Sequence, residues 1–190
     1  AKFRELIRIL VEADAELSLF EFALQEIITH RLEATFKRRK KEVVYKNIET
    51  LAVDAVNILS KLAHVGHPEE AAAQAAFNSG WSKLHIGAST RDWDMLPAGK
   101  VSFSVLRVAL KRFSHATPGI KKAILDACAH CVLHDKKVTV EEAELLRAVA
   151  YALDIPLPPF LEAFESYFGL ILSICFLKIK VSGFGCQHQR

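Results

Sequence analysis

The chain has 190 residues, of which 51% are hydrophobic and 25% charged, enough to bury one substantial core and too apolar for a disordered chain. Its formal charge is +3, but Lys37, Arg38, Arg39, Lys40 and Lys41 form a single run, and removing those five turns +3 into −2. The body is therefore not generally basic, and no nucleic-acid motif surrounds the run, so nucleic acid is not an expected partner. Four cysteines, two on one predicted helix and two near the C-terminus, do not make a secreted disulfide framework. No stretch approaches 18 consecutive apolar residues, so no membrane-spanning helix is expected.

The predicted elements are almost all helical. A first helix ends near Asp14, with Phe3, Leu6, Ile7 and Leu10 on one face, and a second starts at Ser18 with Phe20, Leu24, Ile27 and Ile28 as its apolar face. A linker from about residue 34 to 48 carries the basic run. A third helix spans 49–64, with Leu51, Ala55, Ile58, Leu59 and Leu62 on one side, and stops at Gly66, where a left-handed residue is allowed. Pro68 fits the first position of a fourth helix. Residues 78–99 are irregular, with Gly80, Gly87, Pro97 and Gly99 as breakers; Trp81 is expected in the core and Trp93 at a partner surface. A fifth helix covers 100–114, and Thr117 with Pro118 starts a sixth.

The seventh helix opens after a tight turn, and that turn occurs twice. Asp14, Ser18 and Glu21 align with Asp135, Thr139 and Glu142 in the pattern D-x-x-[LV]-[ST]-x-x-E. The hydroxyl of Ser18 or Thr139 can accept the N–H of the glutamate three residues on, whose carboxylate reaches back to the N–H of the hydroxyl residue. After the second box, Leu146, Val149, Ala150 and Leu153 make an apolar stripe, and Pro156, Pro158 and Pro159 stop the helix.

This acidic turn followed by [ST]-x-x-E-x-x-L-L resembles the tellurite-resistance TerB-type helical domain. The longer runs VTVEEAELLRAVAYALDIPLPP, LVEADAELSLFEFAL and LAHVGHPEEAAAQAAF resemble the C-terminal region of bacterial membrane-bound, HtpX-like zinc metallopeptidases. The resemblance covers Phe3 to Leu161 in patches. It departs in one respect, because such turns usually carry Gly after the Asp and this chain has Ala15 and Lys136. The resemblance implies an all-α bundle of about seven helices with two TerB-like capped-turn repeats, over residues 1–166, as a piece of a longer bacterial protein whose parent is membrane-bound. It implies a regulatory or substrate-presenting domain on the cytoplasmic side, in contact with a protein partner or with other domains of the parent. The alternative it carries is a stand-alone stress-response domain that holds a divalent metal in its acidic turns.

Catalysis is not expected from these residues. The H-E-x-x-H zinc-peptidase motif is missing, and His64 and His67 straddle a predicted helix end, a poor ligand scaffold. No cofactor is expected. Cys128, Cys131 and His134 form C-x-x-C-x-x-H, but three residues along one helix cannot close a tetrahedral zinc site, and Ile124, Ala127, Cys128 and Cys131 form an apolar stripe that favours the core. Lys136 and Lys137 stand where a calcium loop needs oxygens, whereas Asp14, Glu16 and Glu21 could hold a divalent ion weakly. Lys37 to Lys41 could lie against an anionic membrane surface. Residues 167–190 contain no acid and alternate apolar with polar at 177–182, a strand pattern in a helical chain, and read as an added or frame-shifted segment or a divergent extension.

Overall fold

Six α-helices follow one another in the computed structural model, which describes residues 18–36, 42–86 and 93–155: α1 Leu19–Phe36, α2 Ala52–Gly66, α3 Glu70–Trp81, α4 Phe103–Ser114, α5 Pro118–Val132 and α6 Val140–Ala152. There is no strand among the described residues, so the chain is all-α as expected. The helix expected before Asp14, the Lys37–Lys41 run and the alternating tail lie outside the described residues, so six of the seven predicted helices are seen. Among the described residues no helix is long and apolar enough to cross a membrane.

The middle of the unit is α2. It is entered through a tight 3-10 turn, Ile48–Leu51, whose first N–H groups are met by the Asn47 side chain accepting from Glu49 N at 3.0 Å. Leu51, Ala55, Ile58, Leu59 and Leu62 are all buried, and Ala52, Val56 and Ala63 are buried beside them, so apolar side chains cover more than one face. That is why α3, α4, α5 and α6 can all pack on the same helix. Fully burying each large aliphatic side chain contributes about 2 kcal/mol of transfer free energy. The stripes predicted for α4, α5 and α6 are buried too, Leu106, Ala109, Leu110 and Phe113 in the first, Ile124, Ala127, Cys128 and Cys131 in the second, Leu146, Val149, Ala150 and Leu153 at the third.

Three local expectations are corrected. Helix α1 buries Phe22 and Ala23, whereas Phe20 is 61% and Leu24 45% exposed. Phe22 stacks on Phe103 at the start of α4, with ring centroids 4.8 Å apart, and that contact sets the rotation of the helix. Helix α3 begins one residue after Glu69, so Pro68 lies outside it, and it continues through Gly80 to Trp81. A glycine inside a helix normally costs about 1 kcal/mol, but a Cβ at Gly80 would sit 2.6 Å from the carbonyl oxygen of Ala127, so only glycine lets α3 and α5 approach this closely. Trp81, expected in the core, is only half-buried; it stacks on Phe77 and lies tilted against Trp93, with centroids 5.9 Å apart in both pairs.

The predicted linker contains structure that its composition did not signal. Val44 N and Tyr45 N point to the carbonyl of His115 at 2.8 and 3.3 Å, and Thr117 N donates to Tyr45 O at 3.0 Å, a short parallel bridge to the α4–α5 junction. Beneath it Arg112 Nε donates to Tyr45 Oη at 3.1 Å, and Arg112 Nη1 lies 2.8 Å from Asp54 Oδ2. The second approach is off the line of a directed hydrogen bond, so Coulomb attraction is the main force there. Burial pushes the Asp54 carboxyl above its usual range, and the Arg112 charge only partly offsets this. Because the folded state holds that proton more tightly, the contribution is fully present below the ordinary value of 3.8 and is lost as pH rises through the folded one. Asp54→Asn is therefore expected to flatten the fall in stability on the alkaline side of pH 4, measured as urea midpoints across an acid pH series.

Candidate functional site

Both predicted capping boxes are formed, and with the same geometry. Glu142 Oε2 accepts from Thr139 N at 2.8 Å and from Thr139 Oγ1 at 2.9 Å, while Thr139 Oγ1 accepts from Glu142 N at 3.2 Å. In the first copy Glu21 Oε2 accepts from Ser18 N at 2.8 Å and from Ser18 Oγ at 2.9 Å, and Glu21 N donates to Ser18 Oγ at 3.2 Å. These bonds to the Ser18 backbone and hydroxyl hold the Glu21 carboxyl below its usual range. The two boxed helices also pack on each other, α1 lying along α6 as the most extensive helix pair of the described unit.

The second turn has the shape that normally calls for glycine. Lys136 has φ +62°, in the left-handed region, and its N–H donates to Leu133 O at 3.1 Å. Asp135 Oδ1 accepts from Lys137 N at 2.9 Å and closes the loop. A lysine at such a φ costs about 1–2 kcal/mol, part of which a glycine would return through the entropy of the unfolded chain. Lys136→Gly is expected to raise stability by about 0.5 kcal/mol in urea unfolding, with no change in helix content.

The turn encloses a buried polar cluster. Helix α2 ends at Gly66, which is not left-handed as expected; its role is steric. A Cβ there would lie 1.8 Å from Glu142 Oε1 and 2.2 Å from Cδ, so the glutamate reaches its cap position through the space a side chain would fill. Next to it His67 is 6% exposed and Glu142 1%. His67 Nδ1 is 3.3 Å from Ala63 O and 4.0 Å from Glu142 Oε1, and Nε2 is 3.8 Å from Asp135 Oδ2. Both His67 Nε2 and Glu142 Oε1 are buried without a hydrogen-bond partner, an expensive arrangement for polar atoms. The His134 ring stands 6.4 Å away, edge toward His67.

The metal candidates separate. Cys128 and Cys131 are free and buried. Burial pushes the Cys128 thiol well up, with Cys131 adding to it, and burial with the Glu142 charge pushes Cys131 up to about 12. Burial thus favours the neutral thiol over the thiolate at both positions. The Cys131 thiol points to Leu59 O at 4.0 Å, and His134 is exposed. His64 Nε2 lies 2.8 Å from Leu96 O, whereas His67 Nδ1 meets Ala63 O. Among the described residues no group of three or more His, Cys, Asp or Glu could hold a metal ion, and Asp14 and Glu16 lie outside those residues.

The capping boxes were legible because their partners are three residues apart. The His67 cluster was missed because His67 and Glu142 meet only through the packing of α2 against α6, and the one signal was a glycine beside a histidine at a helix end. No family model matches this chain, and neither a curated protein nor a solved structure matches it.

Proposed function

We propose that the chain is a non-catalytic interaction domain that works by binding protein surface, as the regulatory or adaptor part of a membrane-associated, HtpX-like zinc metallopeptidase. The observation that carries this reading is the outer face of α1. Phe20 and Leu24 lie one turn apart and exposed on a helix that is fixed by its Ser18 cap and by its packing along α6. Exposed apolar groups that adjoin one another, rather than standing singly, mark surfaces that meet another protein. The two boxed helices packed on each other support the TerB-like resemblance.

The test is site-specific photo-crosslinking in cells with benzoylphenylalanine at Phe20, and at exposed Val140 on α6 as a control face. A discrete protein adduct from position 20 that is missing from position 140 is expected. No adduct from either, or equal adducts from both, contradicts the assignment of the α1 face.

A further inference from the structure

Helix α4 carries apolar side chains on its outer side as well as its inner one. Leu106, Ala109, Leu110 and Phe113 are buried, yet Val105 and Val108, one turn apart, are 39% and 58% exposed. Lys111 follows on the same side, and the helix ends at His115, whose carbonyl accepts from Val44 N at 2.8 Å and whose Nδ1 lies 3.1 Å from Glu42 O. That junction adds Val43 and Val44, 44% and 60% exposed, at the far end of the helix.

The charge along this part of the chain has one sign. From Met95 to Leu125 the sequence has no Asp or Glu, but it has Lys100, Arg107, Lys111, Arg112, Lys121 and Lys122. Two of the cations on α4 are already engaged: Arg107 donates to Glu26 Oε1 at 2.7 Å and to Gln25 Oε1 at 2.8 Å, and Arg112 is held by Tyr45 and Asp54. Lys111 is exposed and forms no ion pair among the described residues. Because Gln25 and Glu26 follow Leu24 on α1, Arg107 also sets this face beside the exposed face of that helix.

We propose that the outer face of α4 docks an acidic amphipathic segment of another protein, with apolar side chains against Val105 and Val108 and carboxylates on Lys111. The proposal rests on the protein-binding role argued above and gives the partner its chemistry. Matching charge selects the partner and speeds its encounter, while the valines supply the apolar contact. A lipid surface fits less well, since helices that lie in a membrane interface present Trp, Phe or Leu, whereas this one presents valines and its neighbouring aromatic ring, Tyr45, is held against Arg112.

The experiment is selection of a random phage-displayed peptide library on the full chain, followed by fluorescence anisotropy with the enriched peptides. They are expected to place Asp or Glu among Leu, Ile or aromatic residues. Val108→Asp and Lys111→Glu should each weaken their binding about tenfold, the loss of one strong interface contact. Val140→Ser, at an exposed position of α6, should bind as wild type does. Both test positions are exposed, and Lys111→Glu decides the matter even if Val108→Asp folds poorly. No enriched peptide, an enriched family without acidic residues, or equal binding by wild type and Lys111→Glu would overturn the proposal. So would co-sedimentation with phosphatidylglycerol–phosphatidylcholine vesicles that Val108→Asp abolishes, because the face would then belong to a lipid surface. A photo-adduct at Phe20 without acidic peptides here would strike the α4 docking face and leave the α1 face standing.

Discussion

Gly80→Val should destabilise the domain by about 3 kcal/mol, a larger loss than most single substitutions cause. A Cβ at this position meets Ala127 O at 2.6 Å, Cys131 Cβ at 3.1 Å and a Leu59 methyl at 3.1 Å, so the added atoms press on α5 backbone and on the core of α2 together. A carbonyl oxygen in a helix cannot step aside without breaking the ladder, and Leu59 is fully buried. Helix α3 must therefore move away from α5, and with it the Phe77–Trp81 stack. Chemical unfolding followed by tryptophan fluorescence measures both consequences, and Gly80→Ala should fall between Val and wild type because alanine returns part of the cost as helix propensity. Wild-type stability in Gly80→Val would mean that α3 and α5 are further apart than described.

Gly66→Ala is expected to cost about 2 kcal/mol, with the loss passing through Glu142. The new methyl would occupy the position of the carboxylate, so Glu142 must leave Thr139. A lost cap accounts for about 1 kcal/mol, and re-siting a buried carboxylate for a similar amount. The cause is separable by a double-mutant cycle. In a Glu142→Ala background the space is already empty, so Gly66→Ala should be neutral or slightly stabilising there, giving a coupling of about 2 kcal/mol from urea midpoints. Additive effects would show that the two residues do not share this space.

How far the fold was legible follows from the range of each interaction. Helix starts were readable where the signal is local, as at Thr139 with Glu142, Ser18 with Glu21 and Pro118 at the head of α5. The stripe of α2 was readable because its apolar residues recur at helical spacing and are all buried. The face of α1 was not, since Phe20 with Leu24 and Phe22 with Ala23 both fit a helix, and the choice depends on Phe103, which stands far along the chain. The Tyr45–Ala116 bridge and the use of Gly66 share that difficulty, because each is defined by a neighbour that no spacing rule can supply. Lys136 shows the opposite case. The turn pattern asked for a left-handed residue after Asp135, and the chain adopts that conformation with a lysine at a cost.

A domain that works by binding protein surface, as proposed, needs no bound metal. The most direct measurement is the metal content of the purified chain, with thermal melts repeated in chelator and in excess zinc or calcium. Less than one ion per chain and a melting temperature indifferent to every addition are expected. A stoichiometric ion whose removal lowers the melting temperature would contradict it, and would favour the stand-alone metal-binding alternative, with Asp14, Glu16 and Glu21 or the Cys128 helix as the place to look.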